Sequence, residues 1–196
     1  MAVLVSGSGT NLQALLEEPA VSPSIAFVLS DRPDVRALER AEAAGVESEV
    51  IEPKGFPDRE TFDAAVLGAL RDRRIEVIVS AGYMRMLGRA VLGAYDGRWL
   101  NVHPSLLPAF PGTRSVRDAL EYGVKVTGVT VFVVDEGMDT GPVVLQEAIE
   151  VRDDDDWDSL EARVHAVEHR LLPRAVRAMI EGRLTVEGRR AHVIGE

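Results

Sequence analysis

Met1-Ala2-Val3-Leu4-Val5-Ser6-Gly7-Ser8-Gly9-Thr10-Asn11-Leu12-Gln13 opens the chain, and its reading decides the fold. Ala2–Val5 is a short, continuously apolar run, as expected of a strand buried on both faces. Gly7-Ser8-Gly9 turns the chain, and Asn11–Glu18 has helical character. A buried strand that feeds a helix through a glycine turn begins a βαβ unit. The rhythm continues downstream. Ser24–Leu29 is strand-like, Val35–Ala44 is a helix rich in Ala, Glu and Arg, and Glu49–Ile51 is a weak strand. Between Asp58 and Arg73, the residues Phe62, Val66, Leu67 and Leu70 fall on one helix face. Glu76–Ser80 reads as a strand, Met84–Tyr95 as a helix and Trp99–Val102 as a strand. This alternation predicts an α/β fold with an open, mostly parallel twisted sheet of the Rossmann-like kind, covered by helices on both faces.

After Pro111 the pattern changes. Ser115–Tyr122 is a short helix. Val129–Val134 and Val143–Ile149 are consecutive strands around the glycine-rich turn Gly137–Pro142, which predicts a partly antiparallel C-terminal edge. Asp156–Glu181 is a long helix with Leu160, Val164, Val167 and Leu171 on one face, and Pro173 is expected to kink it. There is no internal repeat and no linker long enough for a second domain. A single domain over residues 1–196 is expected, in two halves, 1–100 and 101–196.

The totals fit that picture. A chain of 196 residues can bury a sizeable core, about 70% of its unfolded surface. Hydrophobic residues at 46% and charged residues at 28% are ordinary for a soluble globular protein. No apolar run is long enough to span a bilayer, and the N-terminus shows no signal peptide, so a cytoplasmic protein is expected. Cysteine is absent, which excludes disulfides and thiolate zinc sites. The net charge of −10 argues against a nucleic-acid surface. It also means that an anionic substrate needs local donors, because the overall field repels it.

Three segments carry the chemistry. In Asn101-Val102-His103-Pro104-Ser105-Leu106-Leu107-Pro108, Asn101 and His103 project to the same side at the C-terminal end of a strand, where open α/β sheets hold ligands. One supplies a hydrogen-bond donor, the other a group that titrates near neutral pH. Such a pair suits a reaction in which a carbonyl oxygen gains charge and a proton moves. In Ser6–Asn11, glycines let the backbone approach an anion at a helix N-terminus. Leu12 stands where a dinucleotide fingerprint needs a small residue, and the Walker ending is missing, so a tight turn that binds nothing stays open beside a phosphate loop. Asp139, in Asp135-Glu136-Gly137-Met138-Asp139-Thr140-Gly141-Pro142, would favour the His103 imidazolium if it reaches that ring; alone it reads as a solvated turn carboxylate. His165-Ala166-Val167-Glu168-His169 matches an inverted zinc-peptidase pattern, but its place beside the packed helix face favours an amphipathic helix and no metal. Asp153–Asp156 reads as a solvated helix cap.

Together these residues resemble the glycinamide ribonucleotide formyltransferases, folate-dependent enzymes of de novo purine synthesis. The resemblance runs through Ser6–Gln13, Ala81-Gly82-Tyr83-Met84-Arg85, Asn101–Pro108 with Phe110-Pro111-Gly112, Asp139-Thr140-Gly141-Pro142-Val143 and Glu168-His169. The related transfer-RNA formyltransferases continue differently after the His-Pro element and carry an extra C-terminal domain. The related deformylases have His-Ser-Phe where His103-Pro104-Ser105-Leu106 stands here. The resemblance implies formyl transfer from 10-formyltetrahydrofolate, as co-substrate, to the amine of glycinamide ribonucleotide, with no metal and no covalent enzyme adduct. It implies His103 as general acid, Asn101 as donor to the oxyanion, and Asp139 as the group that supports the imidazolium and orders a water. Gly9, Thr10 and Asn11 match the substrate-phosphate loop, and Glu168 a residue near the ribose hydroxyls.

Met84, Arg85, Met86 and Leu87, with Val91 and Leu92, match the folate-pocket wall by the same resemblance, although ordinary helix packing would also explain the apolar ones. The backbone of Asp135, Glu136, Gly137, Met138 and Asp139 matches the part that binds the pterin-like ring, to which Asn101 also belongs. Arg59 matches an arginine near the exposed end of the folate. Monomer or homodimer are both expected, with no nucleic-acid or membrane partner, and a cis Leu107–Pro108 bond. Trp99 and Arg114 depart from the family pattern. A deformylase acting on the same folate, or a nucleotide- or folate-binding domain without catalysis, are the alternatives.

Overall fold

A computed structural model describes residues 1–195. Among them are nine strands: β1 (Ala2–Val5), β2 (Phe27–Ser30), β3 (Glu47–Val50), β4 (Ile78–Ser80), β5 (Trp99–His103), β6 (Val126–Val133), β7 (Val143–Glu150), β8 (Leu184–Glu187) and β9 (Arg190–Val193). The helices are α1 (Thr10–Glu17), α2 (Arg36–Ala43), α3 (Arg59–Asp72), α4 (Arg89–Ala94), α5 (Ser115–Tyr122) and α6 (Trp157–Ile180). The strands follow the order β3-β2-β1-β4-β5-β6-β7-β9-β8 in a mostly parallel α/β sheet with antiparallel pairs near its C-terminal edge. The chain divides into two compact units, Met1–Leu100 and Asn101–Glu196.

In the first unit, β1 pairs in parallel with β2 and with β4, and β2 with β3. All residues of β1, β2 and β4 are buried, which is why their sequences are apolar without alternation. Val3 registers with Val28 on one side and Val79 on the other. Helix α3 is capped by the Asp58 carboxylate, which accepts from Thr61 N at 2.8 Å and thereby lies below the usual carboxylate range. Its buried face holds Phe62, Val66, Leu67 and Leu70, as the spacing predicts.

In the second unit, β6 and β7 form an antiparallel ladder with a register shift between Val131 and Phe132. Gly128 lies where a Cβ would meet the Glu147 carbonyl at 2.1 Å and Leu106 at 2.5 Å. Helix α6 starts on a capping box between Asp156 and Ser159 and continues through Pro173 to Ile180. Of the acidic run before it, Asp156 is the cap, while Asp155, with a side chain only 4% exposed, accepts from Arg152 N, Ser159 Oγ and Arg163, and Asp153 accepts from Lys125.

Two features differ from the sequence expectations. The segment expected to begin a helix at Met84 is irregular as far as Gly88, and α4 starts only at Arg89. The segment after α6 is a hairpin, β8–β9, whose Arg190 pairs in parallel with Val143 of β7. Both strands alternate apolar and polar residues, with Leu184 and Val186 in β8 and Ala191 and Val193 in β9, but each run is only four residues long and β8 is largely exposed, so this period of two was passed over.

Candidate active site

Within residues 1–100 the strand order reverses at β1, with β2 and β3 on one side and β4 on the other. Loops leaving the carboxyl ends of β1 and β4 flank the kind of crevice in which α/β sheets hold ligands. Met84 N donates to Ser6 Oγ at 2.9 Å and ties the two loops together. In the β1 loop, Gly9 has φ 71° and caps α1. A Cβ there would come within 2.7 Å of the Cα and Cβ of Ala37, so both conformation and space require glycine. The loop carbonyls are engaged: Gly7 O accepts from Ala37 N, Ser8 O from Arg40 Nε and Gly9 O from Gln13 N. An N-cap without a side chain leaves the first-turn N–H groups of α1 uncovered by any cap, as an anion needs. Thr10 is half-buried beside them and Asn11 is buried.

The β4 loop presents Met84, 56% exposed, and Met86, 47% exposed, while Leu87 and Val91 are buried and Leu92 is half-buried. Arg85 Nε donates to the buried Asp31 Oδ2 at 2.7 Å. Arg59, on the first turn of α3, donates from Nη2 to the Met86 carbonyl at 2.8 Å. Trp99 is buried, and its indole N–H donates to Ser80 Oγ at 2.9 Å. Arg114, in the second unit, is spent on the exposed carboxylates of Asp118 and Glu121.

Within residues 101–195, β5 delivers His103 with only 4% of its surface exposed, and Asn101 half-buried two positions earlier on the same side of the strand. His103 Nε2 lies 2.8 Å from the Phe110 carbonyl oxygen. A carbonyl only accepts, so Nε2 carries a hydrogen and donates it. Nδ1 faces Asp139 Oδ2 at 3.6 Å, beyond a direct hydrogen bond but within the span of one water. Asp139 Oδ2 also accepts from Gly112 N at 2.7 Å, which holds the carboxylate in place. Phe110 and Asp139 both adopt left-handed backbone conformations, at φ 50° and 54°. Each costs about 1–3 kcal/mol for a residue with a side chain. Of the three described non-glycine residues at positive φ, these two address the His103 ring, and the third is Arg74.

The loop from Pro104 to Phe110 has a buried support. Thr130 Oγ1 donates to Ser105 O at 2.7 Å and accepts from Leu107 N at 3.1 Å and from Gln146 Nε2 at 2.8 Å. Gln146 also donates to Leu107 O, and Ser105 Oγ donates to Ala109 O at 2.6 Å. The Leu107–Pro108 bond is cis. On the other side, Asp135 Oδ1 accepts from Gly137 N and from Thr140 Oγ1, closing the turn that carries Asp139. Glu136 and Met138 are exposed on it. On α6, Glu168 is buried and its Oε2 lies 2.8 Å from His165 Nδ1. That hydrogen bond pushes the His165 imidazole above its ordinary value. His165 and His169 stack at 5.9 Å, and among the described residues no group of three or more His, Cys, Asp or Glu is arranged to hold a metal.

Within residues 101–195, a His with both ring nitrogens addressed and an amide two residues before it suit acyl chemistry; within residues 1–100, the glycine turn leaves the N-terminus of α1 without a side-chain cap. The model of the family described as formyl transferase matches residues 1–176. The chain belongs to that family. Its relatives include phosphoribosylglycinamide formyltransferases of Bacillus subtilis, 43% identical over 91% of this chain and 93% of the relative, and of Mycobacterium tuberculosis, 45% identical over 97% and 89%. The chain spans only 18% of a trifunctional purine biosynthetic protein adenosine-3 of Homo sapiens, to which it is 41% identical. Among solved structures, glycinamide ribonucleotide transformylase 1 from Symbiobacterium toebii superposes with a TM-score of 0.93 at 46% identity, covering 98% of this chain and 92% of that one.

Sequence reasoning picked out Asn101, His103 and Asp139 in this formyl transferase but passed over Phe110, whose contribution is a carbonyl. It also passed over Asp31, Asp63, Thr130 and Gln146. For Asp63 a signal existed: an acid next to Phe62 and three residues before Val66, on the apolar face of α3. For Thr130 there was none, since Thr is common in strands.

Proposed function

We propose that this chain transfers the formyl group of 10-formyltetrahydrofolate to the amine of 5'-phosphoribosylglycinamide, a step of de novo purine biosynthesis leading to IMP. The observation that carries the reading is the His103 ring, held by the Phe110 carbonyl at 2.8 Å and faced by Asp139 at 3.6 Å. The amine attacks the formyl carbon, and the carbonyl oxygen takes up charge in a tetrahedral intermediate. Asn101 donates to that oxygen. His103 supplies the proton, and Asp139 supports the imidazolium and orders the water through which protons leave the amine and reach the departing nitrogen of the folate. Both reactants are held in place, so positioning removes much of the barrier and no covalent nucleophile is needed.

Gly9, Thr10 and Asn11 take the substrate phosphate, and Glu168 the ribose. Met84, Arg85, Met86, Leu87, Val91 and Leu92 wall the folate site. Arg59 lies toward its outer end, and Asn101 with the Asp135–Met138 backbone meets the ring system. Residues 1–196 act as one formyltransferase domain, with the phosphate loop and the folate wall in 1–100 and the catalytic groups, together with those that meet the folate ring system, in 101–196. The enzyme works in the cytoplasm as a monomer or homodimer on these small molecules.

The test is formyl transfer from 10-formyltetrahydrofolate, followed by absorbance of the released folate, with and without glycinamide ribonucleotide. Turnover that requires the acceptor supports the reading. Formate release without acceptor would replace it with a deformylase, and binding without turnover with a sensor.

A further inference from the structure

The segment Met84–Gly88 has no regular backbone ladder, yet four side chains from elsewhere in residues 1–100 grip it. Ser6 Oγ accepts from Met84 N at 2.9 Å, Asp31 Oδ2 from Arg85 Nε at 2.7 Å and Asp63 Oδ2 from Gly88 N at 2.8 Å, while Arg59 Nη2 donates to Met86 O at 2.8 Å. The result is a fixed edge that holds two large apolar side chains, Met84 and Met86, in the open. Holding apolar surface in water costs free energy, and a rigid hold prevents it from collapsing inward. Such a device makes sense where an apolar ligand is to be covered without the segment reordering on binding.

Asp63 is the centre of the grip. It lies on the apolar face of α3, 5% exposed, among Phe62, Val66 and Leu67. Its Oδ2 holds the Gly88 N–H and stands 3.6 Å from Arg59 Nε, so it also aims the guanidinium that binds Met86 O. Its Oδ1 is buried and receives no hydrogen bond. A buried carboxylate with an unfilled oxygen is a poor choice for packing alone, because an apolar side chain would fill that space without the desolvation cost. Gly88 fits the same logic: a Cβ there would lie 2.4 Å from Asp63 Oδ2. Nearby, burial pushes the Tyr83 phenol up, with the Asp31 charge adding to it, so this hydroxyl stays neutral.

We infer that Asp63 is a positioning residue for the folate donor: through Gly88 and Arg59 it presets the Met84–Gly88 wall. This rests on the function proposed above. The experiment compares Asp63→Ala, Asp63→Asn and Gly88→Ala in formyl transfer from 10-formyltetrahydrofolate to glycinamide ribonucleotide. It reads the donor KM, the acceptor KM, kcat, and hydrogen-exchange protection of the Gly88 amide. Asp63→Ala should raise the donor KM about tenfold, with kcat and acceptor KM within about twofold, and strip the Gly88 protection. Asp63→Asn retains an oxygen that accepts from Gly88 N and should recover most of both. Gly88→Ala, which keeps the carboxylate but displaces the segment, should repeat the donor-specific loss and carries the test if Asp63→Ala does not fold. An unchanged donor KM in a folded variant, a proportionate loss in all kinetic parameters, or an Asn variant as poor as Ala overturns the inference while wild-type turnover leaves the function standing. Wild-type protein without formyl transfer overturns both.

Discussion

The loop after β1, residues 6 to 9, and the longer loop after β5, residues 104 to 114, both leave largely buried strands, and they are held by opposite means. The first is fixed through its backbone: Gly9 at φ 71° lies against Ala37, and the carbonyls of residues 7 to 9 are bound by α2 and α1. No side chain caps the N-terminus of α1 that follows it. The second is fixed through side chains, with Thr130 and Gln146 beneath residues 105 to 107, Gly112 on Asp139 and Phe110 on His103. An anion cradle needs uncovered backbone donors, and any side chain that braced it would compete for them. An acid–base centre needs one ring in one orientation, which only directional bonds to that ring can supply.

If that contrast is right, the largest loss comes from the ring itself. His103→Ala should lower kcat by about 10²–10⁴ while both substrates bind within a few-fold of wild type; near-normal turnover would remove His103 from the mechanism. Asp139→Asn retains an oxygen for Gly112 N but loses the charge. It should cost about 10² in kcat and alter the pH–rate profile, and an unaltered profile would show that Asp139 only braces the loop. For the backbone-held loop, Gly9→Ala should destabilise by about 1–3 kcal/mol in denaturant titrations and raise the acceptor KM with the donor KM unmoved. Loss of donor affinity instead would contradict the division of roles.

Thr130→Val tests the side-chain brace. It leaves Leu107 N–H without its partner in the interior, at a cost of about 1–3 kcal/mol, and should lower kcat by less than Asp139→Asn does. A variant as stable as wild type would show that the loop does not depend on this hydroxyl.

The smallest effect is expected at His165, where the Glu168 hydrogen bond raises the imidazole pKa. A group raised in the folded state contributes its stabilisation fully below its unfolded value, about 6.5, and loses it as pH rises through the folded value. NMR titration should place the His165 midpoint above that value and return it downward in Glu168→Gln. Equal midpoints would dissolve the pair.

The sequence by itself determined the strand–turn–helix rhythm, because fully buried parallel strands require unbroken apolar runs such as Ala2–Val5 and amphipathic helices require the 3.6 period seen in α3 and α6. It also singled out Asn101 and His103 by their residue types at the end of a strand, whereas Asp139 was picked out through the family resemblance, since alone it reads as a turn carboxylate. What it did not carry was anything that depends on partners distant in the chain. The irregular Met84–Gly88 segment has apolar residues that suit a helix, but Ser6, Asp31, Arg59 and Asp63 hold it otherwise. The β8 and β9 strands alternate apolar and polar residues over only four positions each, and β9 takes its place on the edge that β7 offers. That His103 Nε2 bears a hydrogen was decided by the backbone carbonyl of Phe110, a group that every residue possesses and that only the folded chain can aim.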